Sequence, residues 1–77
     1  MRNILAASLR ERMELLAEQI GEGGGRDLQK CLADTCLAFT REVSAVTPAA
    51  AATTSDMRRA GLSERTIGVL AAAGAVT

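Results

Sequence analysis

Two cysteines, no histidine and nine scattered carboxylates make up the reactive inventory of this chain. Nucleophilic and acid–base catalysis need such groups placed in pairs, with a base beside the nucleophile. Cys31 and Cys36 have no histidine partner, which removes the usual way of activating a thiolate. Five residues apart on a helix, their side chains point about 140° away from each other, so a disulfide between them would require the helix to break. Two isolated thiols also fall short of the four ligands of a structural zinc. Cys36 therefore reads as a small core residue. Glu11, Glu14, Glu18, Glu22, Asp27, Asp34, Glu42, Asp56 and Glu64 interleave with arginines at helix-surface spacing, the pattern of a solvated face. The expectation is a protein without catalytic residues, metal or cofactor.

The elements that carry these residues are helices. Leu5, Leu9, Met13, Leu16 and Ile20 recur at spacings of three and four, which predicts an amphipathic helix over residues 3–20. Ile4 and Leu15 lie off this stripe, on one flank, and make the apolar surface wider than one helix contact requires. Gly21 is placed as the C′ residue, and Gly23-Gly24-Gly25 as a flexible turn. This glycine run lacks the Gly-Lys-Ser/Thr ending and preceding strand of a phosphate loop. Asp27 is a cap or first-turn acid for a second helix over residues 27–46. Its stripe is Leu28, Leu32, Thr35, Phe39, Val43 and Val46, with Cys36 beside it and Leu37 almost opposite. The short turn makes the two helices antiparallel neighbours.

Thr47-Pro48 marks a boundary, because proline suits the first position of a helix. Ala49–Thr54 is either a linker or the first turns of a third helix, whose core starts at Ser55 or Asp56 and closes at Gly61. Ser63 caps a fourth helix that Gly74 ends, with Leu62, Ile67, Leu70 and Val69 facing inward. The fold class is all-α, one domain over residues 1–77. It comprises an antiparallel hairpin (3–46), a linker or helix start (47–54) and a short helix pair (55–74). A chain of this size buries only about 60% of its unfolded surface, so a partner copy is expected to help; a homodimeric helical bundle is the predicted assembly.

Nine basic and nine acidic residues leave no net charge, which argues against a generalised nucleic-acid footprint. No apolar run reaches the ~18 residues of a membrane span, and charged Arg10, Glu11 and Arg12 interrupt any signal-peptide pattern. Together with the free thiols this predicts a cytoplasmic protein. Abundant alanine, and arginine in place of lysine, suggest a bacterial or phage coding sequence.

Thr53 to Leu70 carries the most specific pattern: small Ala60, turn Gly61, apolar Leu62, cap Ser63, then Ile67 and Leu70. The segment resembles a helix-turn-helix DNA-binding element. That resemblance implies that Ser63, Glu64, Arg65 and Thr66 open a recognition helix and that Arg58 and Arg59 reach phosphates. Two features depart from the family: Met57 stands where alanine or glycine is usual, and Ala71-Ala72-Ala73 deprives the helix of polar contact groups. Leu62-Ser63-x-Arg65-x-x-x-x-Leu70-x-x-Ala73-Gly74-x-x-Thr77 also resembles the first helix of the C-terminal domain of the bacterial RNA polymerase alpha subunit. There Arg65 would be the DNA-contacting arginine, but Gly68 replaces the accompanying asparagine. A plain packing role for residues 55–74, across the hairpin, accounts better for the alanine run.

Three functions follow in order. The first is a non-enzymatic regulator or adaptor that binds a partner protein through Ile4, Leu15 and Leu37. The second is a dimeric DNA-binding regulator that uses Arg58, Arg59, Ser63, Arg65 and Thr66. The third is a structural assembly subunit.

Overall fold

The computed structural model describes residues 4–43 and 53–76, which form four helices. Helix α1 spans Ile4–Gly21 and α2 spans Arg26–Val43, and the two pack along their length as an antiparallel hairpin. Helix α3 is Thr54–Arg59 and α4 is Glu64–Ala72. The short pair rests on the hairpin chiefly through α4 against α1. Among the described residues there is no strand, and no helix is long and apolar enough to cross a membrane. The fold is all-α, with the hairpin and the short pair in the expected order. The expected end of helix 2 at Val46, the Thr47-Pro48 boundary and Ala49–Ala52 lie outside the described residues.

One apolar core joins all four helices. Met13, Leu16, Leu32, Cys36, Phe39, Met57, Leu62, Ile67 and Leu70 are buried together, with Ala6 and Val76 at its edge. Thr35 is buried in the same layer; its hydroxyl donates to the Cys31 carbonyl at 2.7 Å, one turn back, so it adds no unpaired polar group. Leu5 and Val43 belong to the sequence stripes but remain 54% and 49% exposed. Each sits at the end of its helix. The centre of the buried arc of α1 is set instead by Ala6, Met13, Leu16 and Ala17. At 100° per residue Ile4 and Leu15 then lie about 160–180° from it. They occupy the back of α1 rather than a flank of its stripe.

Three helix ends repeat one hydrogen-bond motif. After α1, the Gly23 amide donates to the Ile20 carbonyl and the Gly24 amide to Gln19, with Gly23 at φ +108°. This Schellman arrangement places C′ at Gly23, two residues beyond the expected Gly21, because Gly21 continues the helix. After α3 the Gly61 amide bonds Arg58 and the Leu62 amide bonds Met57, with Gly61 at φ +93°. The hydrophobic pair that accompanies the motif is Leu62 and Met57, both buried. Gly74 ends α4 in the same way.

The start of α3 is a capping box. The Thr53 hydroxyl accepts from the Asp56 amide at 3.1 Å, and the Asp56 carboxylate accepts from the Thr53 amide at 3.1 Å. Helix α3 therefore begins at Thr54, one or two residues before the expected Ser55 or Asp56.

Candidate functional site

The densest polar contact among the described residues joins α1 to the turn between α3 and α4. Ser63 is the N-cap of α4, its backbone extended and its hydroxyl accepting from the Thr66 amide at 3.2 Å. Over this helix start lies the carboxylate of Glu14. Its Oε1 accepts from the Ser63 amide at 2.7 Å, and its Oε2 from the Ser63 and Thr66 hydroxyls, each at 2.7 Å. The Arg65 guanidinium stands 3.9 Å from Oε2. Burial pushes the Glu14 pKa up. The Ser63 amide and hydroxyl, the Thr66 hydroxyl and the Arg65 charge outweigh it and hold the group below its ordinary value of 4.5. A negative charge here also meets the positive end of the α4 dipole.

One turn earlier on α1, Arg10 donates to the Ala60 carbonyl at 3.4 Å, at the other side of the same turn. The pair is matched to the backbone it touches: a cation at the carbonyl end of α3 and an anion at the amide end of α4. Charge spacing alone cannot show this, because Glu14 lies 49 and 52 residues from its partners and resembles any other solvated glutamate on the helix. The only signal in the sequence is the Ser63 cap itself.

The residues expected at a DNA groove fall into two groups. Thr66 is fully buried, and Ser63, though exposed, gives its hydroxyl to Glu14, so both are engaged within the fold. Arg58, Arg59 and Arg65 are exposed. Arg58 donates through Nε to both Glu64 oxygens, at 3.0 and 2.9 Å, and this contact raises its pKa. Arg59 lies close enough to Asp56 for its charge to help lower that carboxyl.

Ile4, Leu15 and Leu37 are 74%, 59% and 52% exposed. They are not brought together. Leu37 is on the back of α2, about 150° from the centre of its buried arc, and Leu15 is on the back of α1, so their side chains diverge. Ile4 has other company. The antiparallel course of the hairpin brings it, with Leu5, to the same end as Val43, opposite the glycine turn.

Between α1 and α2 runs a shallow, solvent-open cleft of about 550 Å³, lined by Leu9, Thr35, Ala38, Cys31 and the charged Arg12, Asp27, Lys30 and Asp34. Two cations face two carboxylates. Cys31 is half-buried, with Arg12 Nη2 at 4.0 Å from its sulfur. Cys36 is a free, buried thiol whose pKa is pushed up by burial. Among the described residues no three His, Cys, Asp or Glu side chains are gathered to hold a metal ion. No family model, no curated protein and no solved structure matches the chain.

Proposed function

We propose that this chain is a small non-enzymatic regulator or adaptor that acts by stoichiometric binding to a partner protein. The observation that carries this reading is the apolar end of the hairpin, where Ile4, Leu5 and Val43 remain 74%, 54% and 49% exposed. Exposed apolar side chains that share one end of a small domain are candidates for an interaction surface, whereas single ones are ordinary. Here Leu5 and Val43 lie at that end on the core side, and Ile4 carries the apolar surface round to the back of α1. By that criterion Leu15 and Leu37, on opposite backs, are secondary to Ile4. A second copy of the chain is the first partner to consider, since a core this small gains most from association.

The test is sedimentation velocity over an about hundredfold concentration range, combined with quantitative capture of partners from the source cell. Wild type would be compared with Ile4→Glu/Leu5→Glu and with Leu15→Glu/Leu37→Glu. The first variant should remain helical, lose self-association and lose partner capture; the second should change both less. Unchanged association and capture in both variants would remove the surface assignment. Growth well beyond a dimer would favour the assembly-subunit reading.

A second reading, a dimeric DNA-binding regulator, is favoured by one arrangement. Helix α3, the Gly61 turn and the Ser63-capped α4 pack as a two-helix unit with three exposed arginines. It ranks second because Glu14 already places a negative charge where a phosphate would approach the start of α4, and because Arg58 is paired with Glu64.

A further inference from the structure

We propose that α3 and α4 form a latch that opens locally from the hairpin, with Glu14 as its catch. The latch is attached asymmetrically: it packs on α1 through α4, while α1 and α2 hold each other along their whole length. Its polar attachments come from one face of α1, where Arg10 bonds the Ala60 carbonyl and Glu14 bonds Ser63 and Thr66. Local opening follows the weaker contacts in a structure, and here these separate a small unit from a larger one.

The catch depends on the charge of one carboxylate. When ionised, Glu14 only accepts, and its three short partners only need to donate. A proton on Oε2 puts a donor opposite the Ser63 and Thr66 hydroxyls, which must give up donating to it, and removes the charge that strengthens the Ser63 amide contact and attracts Arg65. From α4, Arg65 faces the carboxylate, while Glu64 is turned to Arg58 of α3. Arg59 is set beside Asp56. On α1 itself, Arg10 is occupied at Ala60, and Glu11 and Glu18 are exposed neighbours along the helix. The charged groups of α2 that face α1, Asp27, Lys30 and Asp34, line the cleft on its other side with Arg12. Because folding lowers the Glu14 pKa, its contribution is complete above the unfolded value and is lost as pH falls through the folded one. The latch is closed at neutral pH and loosens under acid, exposing the apolar Met57, Ile67 and Leu70. This device is independent of which partner the chain binds.

Amide hydrogen exchange on the full chain tests it, with protection factors corrected for the intrinsic pH dependence. In Glu14→Gln at neutral pH, amides of residues 60–67 should exchange about tenfold faster or more, the scale of a lost charge-assisted hydrogen bond, because helices of six and nine residues do not hold their own hydrogen bonds once detached, while Leu32–Phe39 stay as in wild type. Wild type should show the same regional loss on acidification, before the hairpin opens, and Glu14→Gln should lack that step. Uniform acceleration across all four helices, or no regional change in either experiment, would overturn the proposal. Should Glu14→Gln fail to fold, the wild-type acid series decides alone: loss confined to 60–67 supports the latch, and simultaneous loss everywhere refutes it.

Discussion

Phe39→Ala should lower stability by about 3–5 kcal/mol, enough to leave much of the chain unfolded at 25 °C. Phe39 is the only aromatic residue, is 2% exposed and lies in the buried core that joins the four helices. Around it the core is built from methionine, leucine, isoleucine and cysteine, with alanine at the α1 contact. Alanine neighbours have no side-chain freedom with which to close a cavity, so the cost should fall toward the upper end of the range. A domain of this length has roughly 4–12 kcal/mol in total, from about 0.05–0.15 per residue. Urea denaturation followed by circular dichroism at 222 nm measures the change. Phe39→Leu should cost considerably less, because most of the buried volume is kept. Equal midpoints for wild type and Phe39→Ala would mean that the core is not organised around this ring.

Two glycine substitutions should move stability in opposite directions. Gly61→Val should destabilise by about 2–3 kcal/mol, because φ +93° is a backbone region that β-branched residues avoid. A Cβ there would also stand 3.2 Å from Arg10 Nη1, so the guanidinium that holds the Ala60 carbonyl would have to give by a few tenths of an ångström. Gly68 lies inside α4, exposed, and a Cβ added there would meet nothing within 4 Å. Gly68→Ala should therefore stabilise by about 0.5–1 kcal/mol, through helix propensity alone. Denaturation midpoints of the two variants against wild type give both signs in one series. A stabilising Gly61→Val would remove the Schellman turn from the description of the α3–α4 connection.

The helices are legible in the sequence because their signals are local. Spacings of three and four identify Met13, Leu16, Leu32 and Phe39 as core, and Ser63 is recognisable as a cap from its position before an apolar run. Helix ends are less readable. Periodicity assigns Leu5 and Val43 to the core because it registers direction around a helix, not position along it, and both stand at a helix end. It also stops α1 at Gly21, since the first of several glycines is the natural choice; the hydrogen bonds instead put the left-handed residue at Gly23. At α3, Thr53 and Asp56 have capping-box spacing, but the alanine–threonine run before them obscures it. Least readable is Glu14. Its role is created by tertiary contact, and the same fold turns Thr66 inward while its neighbours Glu64 and Arg65 stay exposed.

These particulars bear on function through charge. The start of α4 is the part of the short pair best suited to an anion, and the protein's own carboxylate already sits on it. The three exposed arginines are spread among Glu64, Asp56 and Glu14 rather than gathered into an unopposed basic patch. The apolar end at Ile4, Leu5 and Val43 stands outside the buried core that joins the four helices.

The most direct measurement is fluorescence anisotropy of a labelled mixed-sequence DNA duplex at about 50 and about 200 mM salt, where counterion release is visible. Wild type would be titrated beside Arg58→Ala/Arg59→Ala/Arg65→Ala, with folding of both confirmed by circular dichroism. A protein-binding adaptor predicts no measurable DNA binding by folded wild type at the lower salt. Binding that weakens with salt and disappears in the triple variant would contradict it and identify α3–α4 as a nucleic-acid reader.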